Sequence, residues 1–272
     1  MPDYQYLLRL WSVPPVATLA IELSALVYLR GWWRLRRGAV SFVPAWRVLA
    51  FLSGLLTVWI ALASPLDALN EVLLTAHMLQ HMLLMMVAPP LILLGAPLVP
   101  MARGLSGLVR GKVAAPIRLS HAFTNPIVGA LLMGLVMFAW HTPRLYELAL
   151  SSELWHEVEH GSFFLASLIF WWPVVLPWPS RAHWPRWAMV PYLLLADLQN
   201  TVLSAILAFS DRVLYPSYAR APRLFGLSAL EDQVAAGAFM WVAGSLVFIV
   251  PAIALSIHLL SSQSTRDAMT AF

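Results

Sequence analysis

Long apolar runs, separated by short polar segments, dominate the chain. They fall at roughly 14–30, 46–64, 72–100, 126–141, 160–177, 187–209 and 234–260. Each is close to or above the ~17–25 residues a helix needs to cross a bilayer core. The pattern predicts an all-α polytopic integral membrane bundle of about seven transmembrane helices, in one domain over residues 1–272. No repeat or low-complexity tract stands out. The third run contains Pro89, Pro90 and Pro97. Proline removes a backbone donor, so this run is expected to kink, or to end early and continue as a short re-entrant stretch.

Charge divides between the connecting segments in alternation. Arg30, Arg34, Arg36, Arg37 and Arg47 flank the first connection, Arg103, Arg110, Lys112 and Arg118 the third, Arg181 and Arg186 the fifth, and Arg266 lies in the tail. Of the seventeen basic residues, only Arg9, Arg144, Arg212, Arg220 and Arg223 fall on the other side. The acids do the reverse: Asp267 alone accompanies the basic segments, and Glu22 and Asp197 fall inside runs. Lysine and arginine mark the cytoplasmic side, which predicts an N-terminus outside and a C-terminus in the cytoplasm. Trp32, Trp33, Trp46, Trp155, Trp178, Trp184 and Trp187 sit near run ends, as interfacial aromatics do. Residues 1–11 show neither a basic leader region nor a small-residue cleavage site, so no cleavable signal peptide is expected.

Composition agrees with burial in lipid. The chain is 60% hydrophobic and 11% charged, where soluble domains carry about 25% charge. Its basic pI, near 9.8, would suggest nucleic acid in a soluble protein. Here cytoplasmic arginines account for it, and no nucleic-acid partner is expected. The absence of cysteine excludes disulfides, thiolate metal sites and thiol redox chemistry.

Polar groups inside spans are costly and are functional candidates. On the predicted topology His77 and His81 open helix three, His141 closes helix four, and His156 and His160 open helix five, all at the outer face. His121, His183 and His258 fall on the opposite side. Residues four apart share one helical face, so each His-x-x-x-His pair can offer two imidazoles to one ion, and imidazole suits copper, zinc, iron and nickel. The competing reading is that these histidines bond across helices as ordinary interface residues.

Met78, Met82, Met85 and Met86 surround the first pair. Thioethers select Cu(I), which makes Met78 and Met82 candidate ligands, although core methionine is commonly gap-filling. Asp197 and Asn200 share a face of helix six with Thr201 and Ser204. Asp197 could orient an imidazole, relay a proton or simply bond another helix, and mid-span Glu22 is similarly open. Glu231, Asp232 and Gln233 open helix seven. They could approach an ion, but for the acids favouring a positive helix N-terminus is the simpler role.

At these residues the chain resembles a known family. The run His77-Met78-Leu79-Gln80-His81-Met82-Leu83-Leu84-Met85, followed by Ala88-Pro89-Pro90 and Gly95-Ala96-Pro97, is similar to the membrane CtaG family of cytochrome c oxidase assembly factors. So are Trp140-His141-Thr142-Pro143, Trp155-His156 through Glu159-His160, Phe170-Trp171-Trp172-Pro173, Leu214-Tyr215-Pro216, and Asp232-Gln233 with Ala236-Gly237 and Met240-Trp241. These motifs span about residues 70 to 250. An unrelated single-span, cysteine-bearing copper chaperone shares the family's name, and the present chain has neither feature. The resemblance implies a non-catalytic role in the bacterial plasma membrane, helping a heme–copper oxidase acquire the copper of its binuclear centre. It carries most strongly to His77, His81, His141, His156 and His160, then to Asp232 and Gln233.

The leading expectation is therefore a copper-binding assembly factor. Its partners would be the oxidase subunit that carries the binuclear centre, a periplasmic copper donor and membrane lipid. A transporter of a metal ion or small solute is the first alternative, disfavoured because the cytoplasmic half lacks a matching histidine cluster. A heme-binding electron carrier, with His77 or His81 and His156 or His160 as axial ligands, is the second. A hydrolase is the least favoured reading: the second pair, His-Glu-x-Glu-His, has the zinc-protease spacing, but the first has Met78 in the glutamate position and no serine with a nearby base stands out.

Overall fold

The computed structural model describes residues 10–37, 43–107, 125–182 and 184–270, with side chains described to residue 261. Among these residues every regular element is helical. Helices α1 (Pro15–Arg37) and α2 (Ala45–Ala63) come first, followed by the single turn α3 (Pro65–Leu69). Ser64 caps α3 by accepting a hydrogen bond from the N–H of Leu66, and Pro65 fits the first helical turn, where no donor is needed.

The expected 72–100 helix is divided into four parts. Helix α4 (Leu74–Met82) runs into a π-helical turn at Leu83–Val87, then α5 (Ala88–Leu94) and α6 (Leu98–Gly104). Two prolines and a distant helix together shape the π turn. In an α-helix the carbonyls of Met85 and Met86 would accept from residues 89 and 90, but Pro89 and Pro90 have no N–H to give. The Met85 carbonyl accepts instead from the Ser167 hydroxyl, and from Trp171 Nε1 at 3.1 Å. A proline pair thus ties this segment to a distant helix. Beyond α5, Ala96 at φ 47° turns the chain back so that α6 packs against α1. Glycines allow that crossing: a Cβ on Gly31 would strike the Pro100 carbonyl, and one on Gly104 the Val27 carbonyl.

Helix α7 (Pro126–Trp140) meets α8 (Pro143–Ser151) at a 73° bend. Thr142 precedes a proline and is extended at ψ 135°, as sterics demand. Helix α9 (Glu153–Val175) follows and ends at Leu176 in the left-handed region. Its start lies about two turns before residue 160, where the apolar run begins, because the polar residues Glu153–Glu159 belong to the helix. A 3₁₀ turn at Arg186–Ala188 leads into α10 (Met189–Ala208), then the short α11 (Pro216–Arg220) and the long α12 (Ala229–Thr270). Helix α12 packs along α10 and α4, and α9 packs along α7, α5 and the π turn.

Among the described residues, five helical segments are long and apolar enough to cross a membrane: Ala45–Leu69, Leu74–Leu94, Glu153–Val175, Arg186–Ala208 and Ala229–Ser261. The bent α7–α8 pair makes six if it counts as one span. The chain is therefore a helical membrane protein. The first expected span, α1, is helical but is not among these; Glu22, Arg30, Arg34, Arg36 and Arg37 lower its hydropathy. A seventh span, and with it an N-out, C-in orientation, rests on the charge alternation alone.

Candidate metal centre

Helix α4 sets His77 and His81 one turn apart, and both are buried. Helix α9 sets His156, Glu159 and His160 on one face by their i, i+3, i+4 spacing. His141 follows the last residue of α7. The fold brings all five imidazoles together. The ring of His77 lies 4.2 Å from His81, 5.5 Å from His156 and 6.5 Å from His160, centroid to centroid. His81 is 5.4 Å from His160 and 6.5 Å from His141, and His156 is 4.1 Å from His160.

Between the two helices stands Glu159, fully enclosed at 0% exposure. Its Oε2 is 3.8 Å from His77 Nε2 and its Oε1 3.7 Å from His81 Nε2. These are too long for hydrogen bonds. One donor atom from each of His77, His81 and Glu159 lies within 4.8 Å of the other two. Two ligand atoms on one ion, each at about 2 Å, would be roughly 3–4 Å apart, a separation that the Glu159 oxygens keep from both imidazoles.

Hydrogen bonding fixes which nitrogens face the cluster. The Tyr218 hydroxyl donates to the Asn70 carbonyl at 2.7 Å, and burial pushes its ionisation up, so it keeps that proton. A hydroxyl has one proton to give. The His77 Nδ1 contact at 3.2 Å is therefore a donation from the imidazole, and Tyr146 donates to the same oxygen at 3.1 Å. His77 Nε2 is left as a lone pair turned toward Glu159. His141 repeats the arrangement, with Nδ1 2.8 Å from the Met137 carbonyl, which only a protonated Nδ1 satisfies. Fixing one ring nitrogen so that the other is free to ligate is the usual support for a metal-binding histidine. Tyr215 stacks on Tyr146 at 3.8 Å and donates to the His141 carbonyl at 3.0 Å.

The remaining polar atoms of the cluster have no partner. His77 Nε2, both nitrogens of His81, Nε2 of His141, His156 and His160, and both carboxylate oxygens of Glu159 are buried without a hydrogen bond among the described residues. Buried polar groups are nearly always paired, and a buried carboxylate costs several kcal/mol without a cation or donor. A cation among these atoms would satisfy them together. The set is nitrogen and oxygen, which suits Cu(II), zinc, iron or nickel.

The other sequence candidates take different places. Met78 and Met82 are buried in the main apolar cluster with Trp140, Tyr146 and Phe163. Asp232 belongs to the scaffold: its carboxylate accepts from the N–H groups of Leu74 and Thr75 at 2.6 and 3.2 Å and from the Thr75 hydroxyl at 2.6 Å. It thereby caps α4 from another helix, since Leu73 offers no side-chain cap of its own. Gln233 accepts from the Leu214 N–H at 2.7 Å and donates to the carbonyls of Leu207 and Arg212, which holds the loop before Tyr215. Asn200 donates to the Met240 carbonyl, and Asp197 Oδ1 is buried without a hydrogen bond; both stand on α10, whose main packing is against α12. His258 and Glu22 are exposed, and His121 and His183 lie outside the described residues.

Sequence reading passed over Glu159, Tyr218 and Gln80. Gln80, between the two α4 histidines, donates to the Ala61 carbonyl and to Asp67, both at 2.9 Å, and accepts from Asn70. For Glu159 a signal existed: with His156 and His160 on one face of helix five, the i+3 position Glu159 shares that face. Tyr218 reaches His77 across 141 residues of chain, which no local pattern encodes.

The order of these elements, His77 through Asp232, matches a family model over residues 26–262. The chain belongs to the cytochrome c oxidase caa3 assembly factor family. Among curated proteins it is similar to an uncharacterized protein of Mycobacterium leprae, 24% identical over 268 residues, covering 93% of this chain and 40% of that protein. Uncharacterized proteins of Mycobacterium bovis and Mycobacterium tuberculosis are each 23% identical over 271 residues, with the same coverage. The chain thus spans about 40% of the length of these relatives. No solved structure matches it significantly.

Proposed function

We propose that this assembly factor binds copper in the histidine–Glu159 cluster and assists its delivery to the heme–copper oxidase subunit that carries the binuclear centre. On the charge alternation the cluster faces outward from the bacterial plasma membrane, where a periplasmic donor could load it. The observation that carries the reading is the convergence of eight buried, unpartnered nitrogen and oxygen atoms from five histidines and one glutamate. His77 and His81 would bind through α4, and His156, His160 and His141 would complete or exchange the ligand set. Glu159 would offset one positive charge of the ion.

Neutral imidazoles suit a donor protein. They bind borderline ions selectively, yet each can be displaced singly, unlike a closed thiolate cage. The heme-carrier alternative fits poorly, because the imidazoles pack ring against ring at 4.1–5.5 Å and leave no slot for a porphyrin. Copper analysis of purified wild type beside His77→Ala/His81→Ala tests the reading. Wild type supplied with copper should carry about one ion per chain, and the double variant should lose most of it and support less active oxidase while remaining in the membrane. Copper-free wild type, or undiminished oxidase under copper limitation in the variant, would refute it.

A further inference from the structure

Beside the buried cluster lies an open cavity of about 390 Å³, bordered by α3, the α8–α9 junction and the first turn of α9. Four carboxylates line it: Asp67, Glu71, Glu153 and Glu157. None pairs with a lysine or arginine among the described residues. Asp67 is held in position by Gln80 Nε2 at 2.9 Å, and Gln80 sits between the two cluster histidines of α4. The fifth residue that matters is His156. It lines the same cavity and is half-buried, and its ring lies 4.1 Å from His160 and 5.5 Å from His77. Its Nε2 is buried without a partner, as are Nε2 of His160, Nε2 of His77 and both oxygens of Glu159 behind it. His156 is therefore the one imidazole shared by the open cavity and the closed cluster.

We infer that this cavity is the loading port of the metal centre, collecting a hydrated divalent cation on its carboxylates and passing it inward through His156. The inference rests on the metal-binding reading above and adds the route. A cleft lined by one sign of charge concentrates counter-ions and raises association rates by roughly 10- to 1000-fold, an effect that salt suppresses. Transfer needs no redox step. The ion exchanges water for carboxylate oxygen, then for His156 Nε2, and then for the donors of His77, Glu159 and His160, releasing water at each exchange. The reverse order serves unloading. The port residues set how fast the ion enters, and the buried residues set how tightly it stays.

The full chain in lipid nanodiscs, mixed rapidly with Cu²⁺ and followed by quenching of tryptophan fluorescence, separates these roles. Glu71→Gln/Glu153→Gln/Glu157→Gln should slow association about tenfold or more at low salt and flatten its salt dependence, with copper stoichiometry unchanged. A variant with wild-type rate and salt dependence overturns the port. A second test uses the absence of cysteine: Ser151→Cys, at the cavity rim, is then a unique label site. A bulky cationic thiol reagent there should slow loading without reducing final copper content, and unimpeded loading again overturns the route. Failure of wild type to bind Cu²⁺ is a separate result, which removes the metal-centre reading and the port with it.

Discussion

A carboxylate enclosed by imidazole and aromatic rings, with no hydrogen-bond donor to either oxygen, is an expensive arrangement in a folded protein. Glu159 has this environment: His77 and His81 approach its oxygens at 3.7–3.8 Å without bonding, Phe163 packs on His81 at 4.7 Å and Tyr146 on His77 at 5.0 Å. A cation is the economical resolution, and it makes opposite predictions for the two states of the protein. Glu159→Gln should leave the thermal stability of metal-free protein unchanged or raise it, because an unpaired carboxylate is removed. It should also weaken copper binding at least about tenfold, which subtracts about 1.4 kcal/mol from the stabilisation that copper confers. Unfolding temperatures of chelator-treated and copper-loaded samples measure both. A destabilised metal-free variant with the copper shift intact would make Glu159 a structural residue. Met78 and Met82, the soft-ligand candidates of the sequence, are buried in the apolar cluster with Trp140, Tyr146 and Phe163.

Among the elements, α4 carries the most consequence for its length. Its first turn is capped by Asp232 of α12, its middle is anchored by Gln80, and beyond its end the π turn is tied to α9 through the Met85 carbonyl. The histidine pair is therefore held from three sides. Asp232→Ala leaves buried N–H groups unsatisfied, and should cost about 1–3 kcal/mol as well as loosening His77. A lowered unfolding temperature in metal-free protein, partly restored by Asp232→Asn, is the expected result; an unchanged Ala variant would make the cap dispensable. Sequence pattern located these helices but misjudged how two of them behave. The prolines at 89 and 90 announced a break, and its form, a π turn, depends on Ser167 and Trp171 of another helix supplying donors. The first turns of α9 precede the apolar run that located it, because a helix facing a polar pocket carries polar residues there.

At the scale of the molecule, five or six segments among the described residues qualify as spans, and the charge alternation requires α1 as a seventh. An N-out, C-in protein should expose the α10–α12 and α8–α9 connections outside the cell and the α9–α10 connection inside. In the cysteine-free chain, Leu224→Cys and Ser152→Cys should react with a membrane-impermeant thiol reagent on intact cells, and Arg181→Cys only after permeabilisation. Equal or reversed labelling would reject this orientation, and would place the acidic cavity and the histidine cluster on the cytoplasmic side.

The sequence by itself determined the solvent, the helices and the side chains available to hold a cation. Twenty-residue apolar runs are stable only in lipid, the four-residue histidine spacing puts each pair on one helical face, and the lack of cysteine leaves imidazole, thioether and carboxylate as donors. Those properties are local in the chain. Tertiary structure decided that the pairs face each other, that Glu159 joins them while Met78 and Met82 remain in the apolar core, and that Tyr218, 141 residues away from His77, sets the tautomer of its ring. Each of these depends on how helices distant in sequence pack and rotate, which is fixed by long-range bonds such as Asp232 to α4 and Ser167 to Met85 and leaves no periodic trace in the chain.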